Sequence, residues 1–150
     1  MRKHRLPTIN RIACLLVILS CLACHEETVY HSYQPVDSAG WARNDTLSFV
    51  LPSSILPNDY EFGIGIRHKD SYKYRDIWLT VNHDTLHLYL ADTIGNWLGN
   101  GMGEIRQLIV PFTISKHTED SLQTLYINHI MQDRPLTGIQ DIGIQIRKHP

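Results

Sequence analysis

Downstream of Trp41, apolar residues recur at every second position in short runs, and turn-forming residues separate the runs. A period of two belongs to half-buried β-strands, whose side chains point alternately to opposite faces. Residues 46–51 form the first run, and Pro52 ends it. Tyr60, Phe62, Ile64 and Ile66 alternate with Glu61, Gly63, Gly65 and Arg67. Ile77, Leu79 and Val81 alternate with Trp78 and Thr80, Asn82-His83-Asp84 reads as a turn, and Leu86, Leu88 and Leu90 alternate with His87 and Tyr89. Residues 77–90 therefore predict a β-hairpin. Ile105–Phe112 is a further strand, and Pro111 near its end points to an edge position. Leu125, Ile127, His129 and Met131 alternate with Tyr126 and Asn128, and Ile142, Ile144 and Ile146 alternate with Gly143, Gln145 and Arg147. Seven or eight such strands predict an all-β fold, a single-domain antiparallel β-sandwich of jelly-roll-like character. The one helical expectation is a turn within residues 117–125.

The first 23 residues follow a different pattern. Arg2, Lys3, His4, Arg5 and Arg11 make a basic start, and an apolar run over residues 12–23 is broken only by Cys14, Ser20 and Cys21. That run is short of the ~20 apolar residues of a membrane-spanning helix. It fits the apolar core of a secretion signal. Small residues then precede a cysteine, the arrangement at which a lipoprotein signal is cut and the thiol carries diacylglycerol. Cys24 has the whole run behind it and opens the polar segment His25-Glu26-Glu27. Cys21 is the alternative, with the better apolar residue, Ile18, three positions upstream. Residues 1–23 therefore read as a removed lipoprotein signal peptide, 24–40 as the lipidated N-terminus and a tether, and 41–150 as the sandwich. The tether expectation rests on Gln, Ser, Pro35 and Gly40, with only scattered Tyr30, Tyr33 and Val36.

Composition agrees with this division. The three cysteines are Cys14, Cys21 and Cys24, so the body offers neither a disulfide framework nor a thiolate metal site. Removing residues 1–23 takes away Arg2, Lys3, Arg5 and Arg11 and no acidic residue, so the net charge of −1 becomes −5. A mildly acidic body argues against nucleic acid as a partner and leaves membrane attachment to acyl chains. Two or three chains, the diacylglycerol and an N-acyl group, give stable anchoring at ~0.8 kcal/mol per buried methylene.

The chemistry-bearing residues form no catalytic constellation. There is no Gly-x-Ser-x-Gly elbow and no His-Glu-x-x-His helix. His83 and His87 are spaced i, i+4, but the spacing spans a turn and a strand, so solvent-facing structural histidines are expected and no metal. The glycine-rich residues 95–103 lack the Lys-Ser/Thr of a phosphate loop. They read as a long turn whose glycines supply positive φ. The alternative is a binding loop formed by Trp97, Gly99 and Gly101, with Trp78 nearby. Asp84, Asp92, Glu104 and Asp141 could form a glycosidase pair, yet nothing in the sequence brings two together. Trp78, Tyr89 and Tyr126 are expected to pack in the core from the opposite strand face, with a carbohydrate-stacking surface as the alternative. Tyr72, Lys73, Tyr74 and Arg75 form a basic-aromatic loop cluster suited to a partner contact.

Several segments taken in order resemble the gliding motility lipoprotein GldH family. They are Cys24-His-Glu-Glu-Thr-Val-Tyr-His-Ser-Tyr, Gly40-Trp41, Asp45-Thr46-Leu47-Ser48-Phe49, Tyr60-Glu61-Phe62, Asp84-Thr85-Leu86, Leu90-Ala91-Asp92, Gly95-x-Trp97-Leu98-Gly99-x-Gly101 and Gly138-Ile139-x-Asp141-Ile142-Gly143-Ile144-x-Ile146. The resemblance implies an acylated, periplasm-facing cell-envelope protein associated with the gliding apparatus, without catalytic residues or cofactors. It also implies Cys24 as the lipidated position, because the Thr-Val-Tyr segment starts at a set distance from that cysteine. The expected function is that of a noncatalytic structural or adaptor subunit among envelope or motility proteins. A carbohydrate-binding module is the alternative.

Overall fold

The computed structural model describes residues 27–55, 59–114 and 123–148. Nine strands occur among them: β1 (Thr28–Pro35), β2 (Leu47–Val50), β3 (Tyr60–Lys69), β4 (Asp76–Val81), β5 (Asp84–Tyr89), β6 (Asn100–Met102), β7 (Ile105–Phe112), β8 (Thr124–His129) and β9 (Ile139–Lys148). They form two antiparallel sheets, one in the order β1-β9-β3-β7-β6 and the other in the order β2-β8-β4-β5. The fold is the all-β sandwich that the alternation predicts.

The inner faces come from the period-two positions. Ile64, Ile66, Ile142, Ile144 and Ile146 of one sheet meet Ile77, Leu79, Leu125 and Ile127 of the other in a single core, each of them fully buried. Burying one such side chain stabilises by about 1.5–3 kcal/mol relative to leaving it exposed. The same period carries two histidines inward. His68 follows Ile66 on β3 and His129 follows Ile127 on β8, and both are buried. The His68 Nδ1–H donates to the Lys69 carbonyl and the His129 Nε2–H to the Trp41 carbonyl, each at 3.0 Å. A carbonyl can only accept, so each ring is held in one tautomer. The remaining ring nitrogen has no hydrogen-bond partner among the described residues. Burial pushes both imidazoles below their ordinary pKa, against a smaller opposing pull from the carbonyl bond.

The outer face of the five-stranded sheet is smoothed by Gly63, Gly65 and Gly143. Tyr33 lies flat over the last two, and a Cβ at Gly143 would sit 2.6 Å from its ring. The Arg67 guanidinium covers the ring from 3.9 Å.

Three expectations are corrected. Residues 28–35 are strand β1, not tether: they pair with β9 from Thr28↔Arg147 to Pro35↔Asp141. As an edge strand β1 can place Ser32 and Gln34 on the inward side, where Gln34 donates to the Ser48 carbonyl of the other sheet. Leu125 lies in β8, not in a helical turn, and residues 117–122 are outside the described ones. Strand β7 has β6 beyond it, so it is not the sheet's edge. The β6 pairing covers only Ile105 to Gln107, however, so on that side Pro111 pairs with no strand among the described residues.

Candidate functional site at the loop end of the sandwich

The strands give the molecule two ends. At one lie Thr28, Tyr60, Phe112 and Lys148 of the first sheet, with Val50, Thr124 and the Asn82-His83 turn of the second. This is the Thr28 end. At the other, the loop end, residues 70–75, 90–104 and 130–138 connect the strands.

Side-chain bonds tie the loops at that end to one another. Arg106 donates to both carboxylate oxygens of Asp70, at 2.8 and 3.2 Å, and this holds Asp70 below the usual carboxylate range. Lys73 Nζ lies 2.5 Å from Asp133 Oδ2, and the Tyr74 hydroxyl donates to Asp133 Oδ1 at 2.9 Å. These bonds, Lys73 first, hold the Asp133 carboxyl low and raise Lys73. Arg75 donates to the Thr93 carbonyl at 3.0 Å. Asp92 accepts from the Asn96 backbone at 2.8 Å, the Asn96 amide at 3.0 Å and the Ile94 backbone at 3.0 Å, and these bonds lower its pKa. The Tyr72 hydroxyl donates to the Asp76 carbonyl at 3.0 Å, and burial pushes this phenol above its ordinary pKa.

An aromatic wall rises beside these loops on the outer face of β4 and β5. Trp78 and His87 are register partners, and their rings stack at 4.0 Å and 9°. His87 is held by its Nε2 bond to Asp76 Oδ2 at 2.6 Å, and Tyr89 tilts against its ring at 4.6 Å. The Trp78 ring also lines a cleft of about 370 Å³ with Tyr74, Ile130, Met131 and Gln132. A second cleft of about 560 Å³, lined by Lys73, Arg75, Tyr89 and Asp92, shares Tyr74 and Asp76 with the first. A third hollow, about 190 Å³ over Gly63, lies on the opposite sheet between Ile109, Pro111, Gln145 and Arg147.

Trp78, Tyr89 and Tyr126 were expected in the core. They stand instead on the outer face, with 39%, 62% and 53% of their surface exposed, because the alternation gives the inner face to Ile77, Leu79, Leu88 and Ile127. Trp97 points inward and packs edge-on against His68 at 4.5 Å, half-buried. Gly99 lies against the Gln107 carbonyl with φ +79° and has no room for a Cβ, whereas a Cβ at Gly101 would have to push aside the Arg106 side chain. Gly95, Gly99 and Gly103 do take positive φ, as expected of a long turn, and β6 forms between them. Trp78 is thus in the aromatic wall, whereas Trp97 packs on His68 of β3, and Gly99 and Gly101 lie exposed beside β7 of the other sheet. Cys24 and Cys21 lie outside the described residues.

Of the weighed carboxylates, Glu104 sits in the turn between β6 and β7, and the other three lie apart from one another. Asp84 begins β5 at the Thr28 end, Asp92 binds its own turn, and Asp141 pairs with Arg67 at 3.8 Å on the opposite sheet. His83 occupies the far turn, so it shares nothing with His87. Among the described residues no group of three or more His, Cys, Asp or Glu could hold a metal. The sequence missed the Asp133 crosslinks and the Asp76-His87-Trp78 stack. The stack was legible in part, because residues facing each other across the predicted hairpin are neighbours by register.

This end of the molecule brings together crosslinked loops, exposed rings and two clefts on an antiparallel β-sandwich. The chain belongs to the GldH lipoprotein family, whose sequence pattern matches residues 28–146. It is similar to the gliding motility lipoprotein GldH homolog of Christiangramia forsetii, 24% identical over 89% of this chain and 92% of the relative. It is also similar to the gliding motility lipoprotein GldH of Flavobacterium johnsoniae, 25% identical over 89% of this chain and 93% of the relative. No solved structure matches the chain.

Proposed function

We propose that this lipoprotein is a noncatalytic adaptor of the motility machinery. Acyl chains on Cys24, with Cys21 as the alternative, hold it in the cell envelope facing the periplasm, and its loop end docks an envelope protein. The observation that carries this reading is where apolar surface is exposed. Nine large apolar side chains stand exposed among the described residues, and six of them, Trp78, Tyr89, Ile94, Leu98, Met102 and Ile130, are at the loop end. Ile94 and Met102 are 83% and 88% exposed. Large apolar side chains left exposed together at one end of a molecule suit an interaction site. The bonds through Asp70, Asp92 and Asp133 fix those loops beforehand, so little ordering entropy is lost on docking.

The test is photo-crosslinking in intact envelopes with probes at Ile94, Met102 and Val50. One protein species captured from Ile94 and Met102 but not from Val50 is expected. Equal capture from all three positions, or none from the loop end, would sink the adaptor reading. For the anchor, Cys24→Ala is expected to abolish palmitate incorporation. Labelling lost instead in Cys21→Ala would move the lipid to Cys21.

A second reading is favoured by one feature, the Trp78 ring braced by His87. A flat ring braced on one side and bordering a cleft with carboxylate, amide and phenol groups can stack a sugar. Calorimetric titration with soluble envelope glycans decides it: saturable binding abolished by Trp78→Ala supports a carbohydrate-binding module, and no heat at millimolar glycan rejects it.

A further inference from the structure

Pairing in the first sheet begins very close to the lipid-attachment cysteine. Strand β1 is in register with β9 from Thr28, and the Lys148 N–H donates to the Glu27 carbonyl at 3.0 Å. The chain is therefore held to the sheet from residue 27 onward. Only His25 and Glu26 separate Glu27 from Cys24. Three Cα-to-Cα steps span at most about 11 Å. The headgroup layer on one side of a bilayer is itself roughly 5–7 Å thick. On so short a connection the sandwich cannot move clear of the lipid surface.

The remaining question is which part of it meets the lipid. Three exposed side chains at or near the Thr28 end suit the headgroup region: Val29, Val50 and Tyr126. Tyrosine in particular concentrates at that level of a membrane. Charges at this end are of both signs, with Glu27, Asp59, Glu61 and Asp84 against Arg147 and Lys148. Lying on the β1 side would press an edge strand into the headgroups, and the backbone groups of a sheet edge lose water at a cost when covered without a partner.

We propose that the sandwich stands end-on on the bilayer, with its Thr28 end on the headgroups and its loop end raised by the length of the strands. The partner surface is lipid, and the placement rests on acylation at Cys24. β9 has ten residues, so the loop end stands roughly 33 Å above the Thr28 end. The loop end, with its six exposed apolar side chains, is then held away from the membrane.

The experiment uses the acylated protein in vesicles whose headgroups carry a fluorescence quencher. No cysteine follows Cys24, so His83→Cys, Val50→Cys, Ile94→Cys and Met102→Cys each place one dye. Quenching is expected to be several-fold greater at residues 83 and 50 than at 94 and 102. Inserting twelve Gly/Ser residues after Glu26, a connection of roughly 19 Å, is expected to weaken quenching at 83 and 50. Equal quenching at both ends, or stronger quenching at 94 and 102, on a chain shown by mass to be acylated overturns the end-on placement alone. Unchanged quenching after the insertion overturns the claim that the short connection sets it. A wild-type chain without lipid overturns the anchored reading and the placement together.

Discussion

The two sheets share a core but treat their outer faces in opposite ways. The five-stranded sheet uses Gly63, Gly65 and Gly143 and lays its own Tyr33 over two of them, with Arg67 above the ring. The four-stranded sheet leaves Trp78, Tyr89 and Tyr126 standing in solvent. One face covers itself, and the other leaves its rings exposed. Aromatic residues therefore have two jobs here, and the number of aromatics on a strand does not tell them apart. What does is the residue opposite: glycine beneath Tyr33, a stacked histidine beside Trp78.

The largest expected effect tests the self-covered face. Gly143→Val should lower stability by about 2–3 kcal/mol in urea unfolding, at the upper end of overpacking costs, because the new side chain displaces the Tyr33 ring. Combining it with Tyr33→Ala should remove most of that penalty, a coupling of at least about 1 kcal/mol. Strict additivity would mean that Tyr33 is not the obstacle.

The next effect concerns the core that both faces enclose, which holds one buried histidine from each sheet. His68 and His129 have folded pKa values below their unfolded ones, so between the two values the unfolded chain binds more protons. Stability should be full above about pH 6.5, the unfolded value, and fall as pH drops below it. His68→Phe keeps a ring against Trp97 and should flatten part of that slope in thermal melts from pH 7 to 5. A wild-type slope of the opposite sign would contradict the burial.

The smallest effects belong to the open face. Trp78→Ala should cost about 1 kcal/mol, the worth of its stack, and Tyr89→Ala within about 0.5 kcal/mol, as for an exposed site. Both should weaken capture of the partner far more than they lower the melting temperature. A loss of stability as large as that of Gly143→Val would erase the contrast between the faces.

Much of this was legible in the chain. The alternation placed seven of the nine strands, because strands buried on one side must carry apolar residues at every second position. The turn at Asn82-His83 was legible for its polar residues, and Asn82 takes φ +52°. β1 was not legible because an edge strand tolerates Ser32 and Gln34 where a central strand needs isoleucine. β6 has three residues, two turns around it and a glycine in its middle, too short for any period to show. The outward placement of Trp78 was implicit in its phase against Ile77 and Leu79. Hydrophobic character suggested the core, and the phase decided otherwise. The loop-end crosslinks were hidden for a different reason: Tyr74 and Asp133 are 59 residues apart, and no local pattern predicts that they meet.

The pairing of β1 with β9 has a consequence for the order of folding. Among the described residues β1 is the first strand and β9 the last, and β9 also pairs with β3. The strand that joins β1 to the rest of the five-stranded sheet is therefore missing until the final segment has been made. A chain still emerging can form the β4-β5 hairpin, whose strands are neighbours in sequence, but it cannot seat residues 28–35. Such long-range closure is slow relative to local pairing. Loss of a dozen residues from the C-terminus would remove β9 and unseat the N-terminal strand more than a hundred residues away.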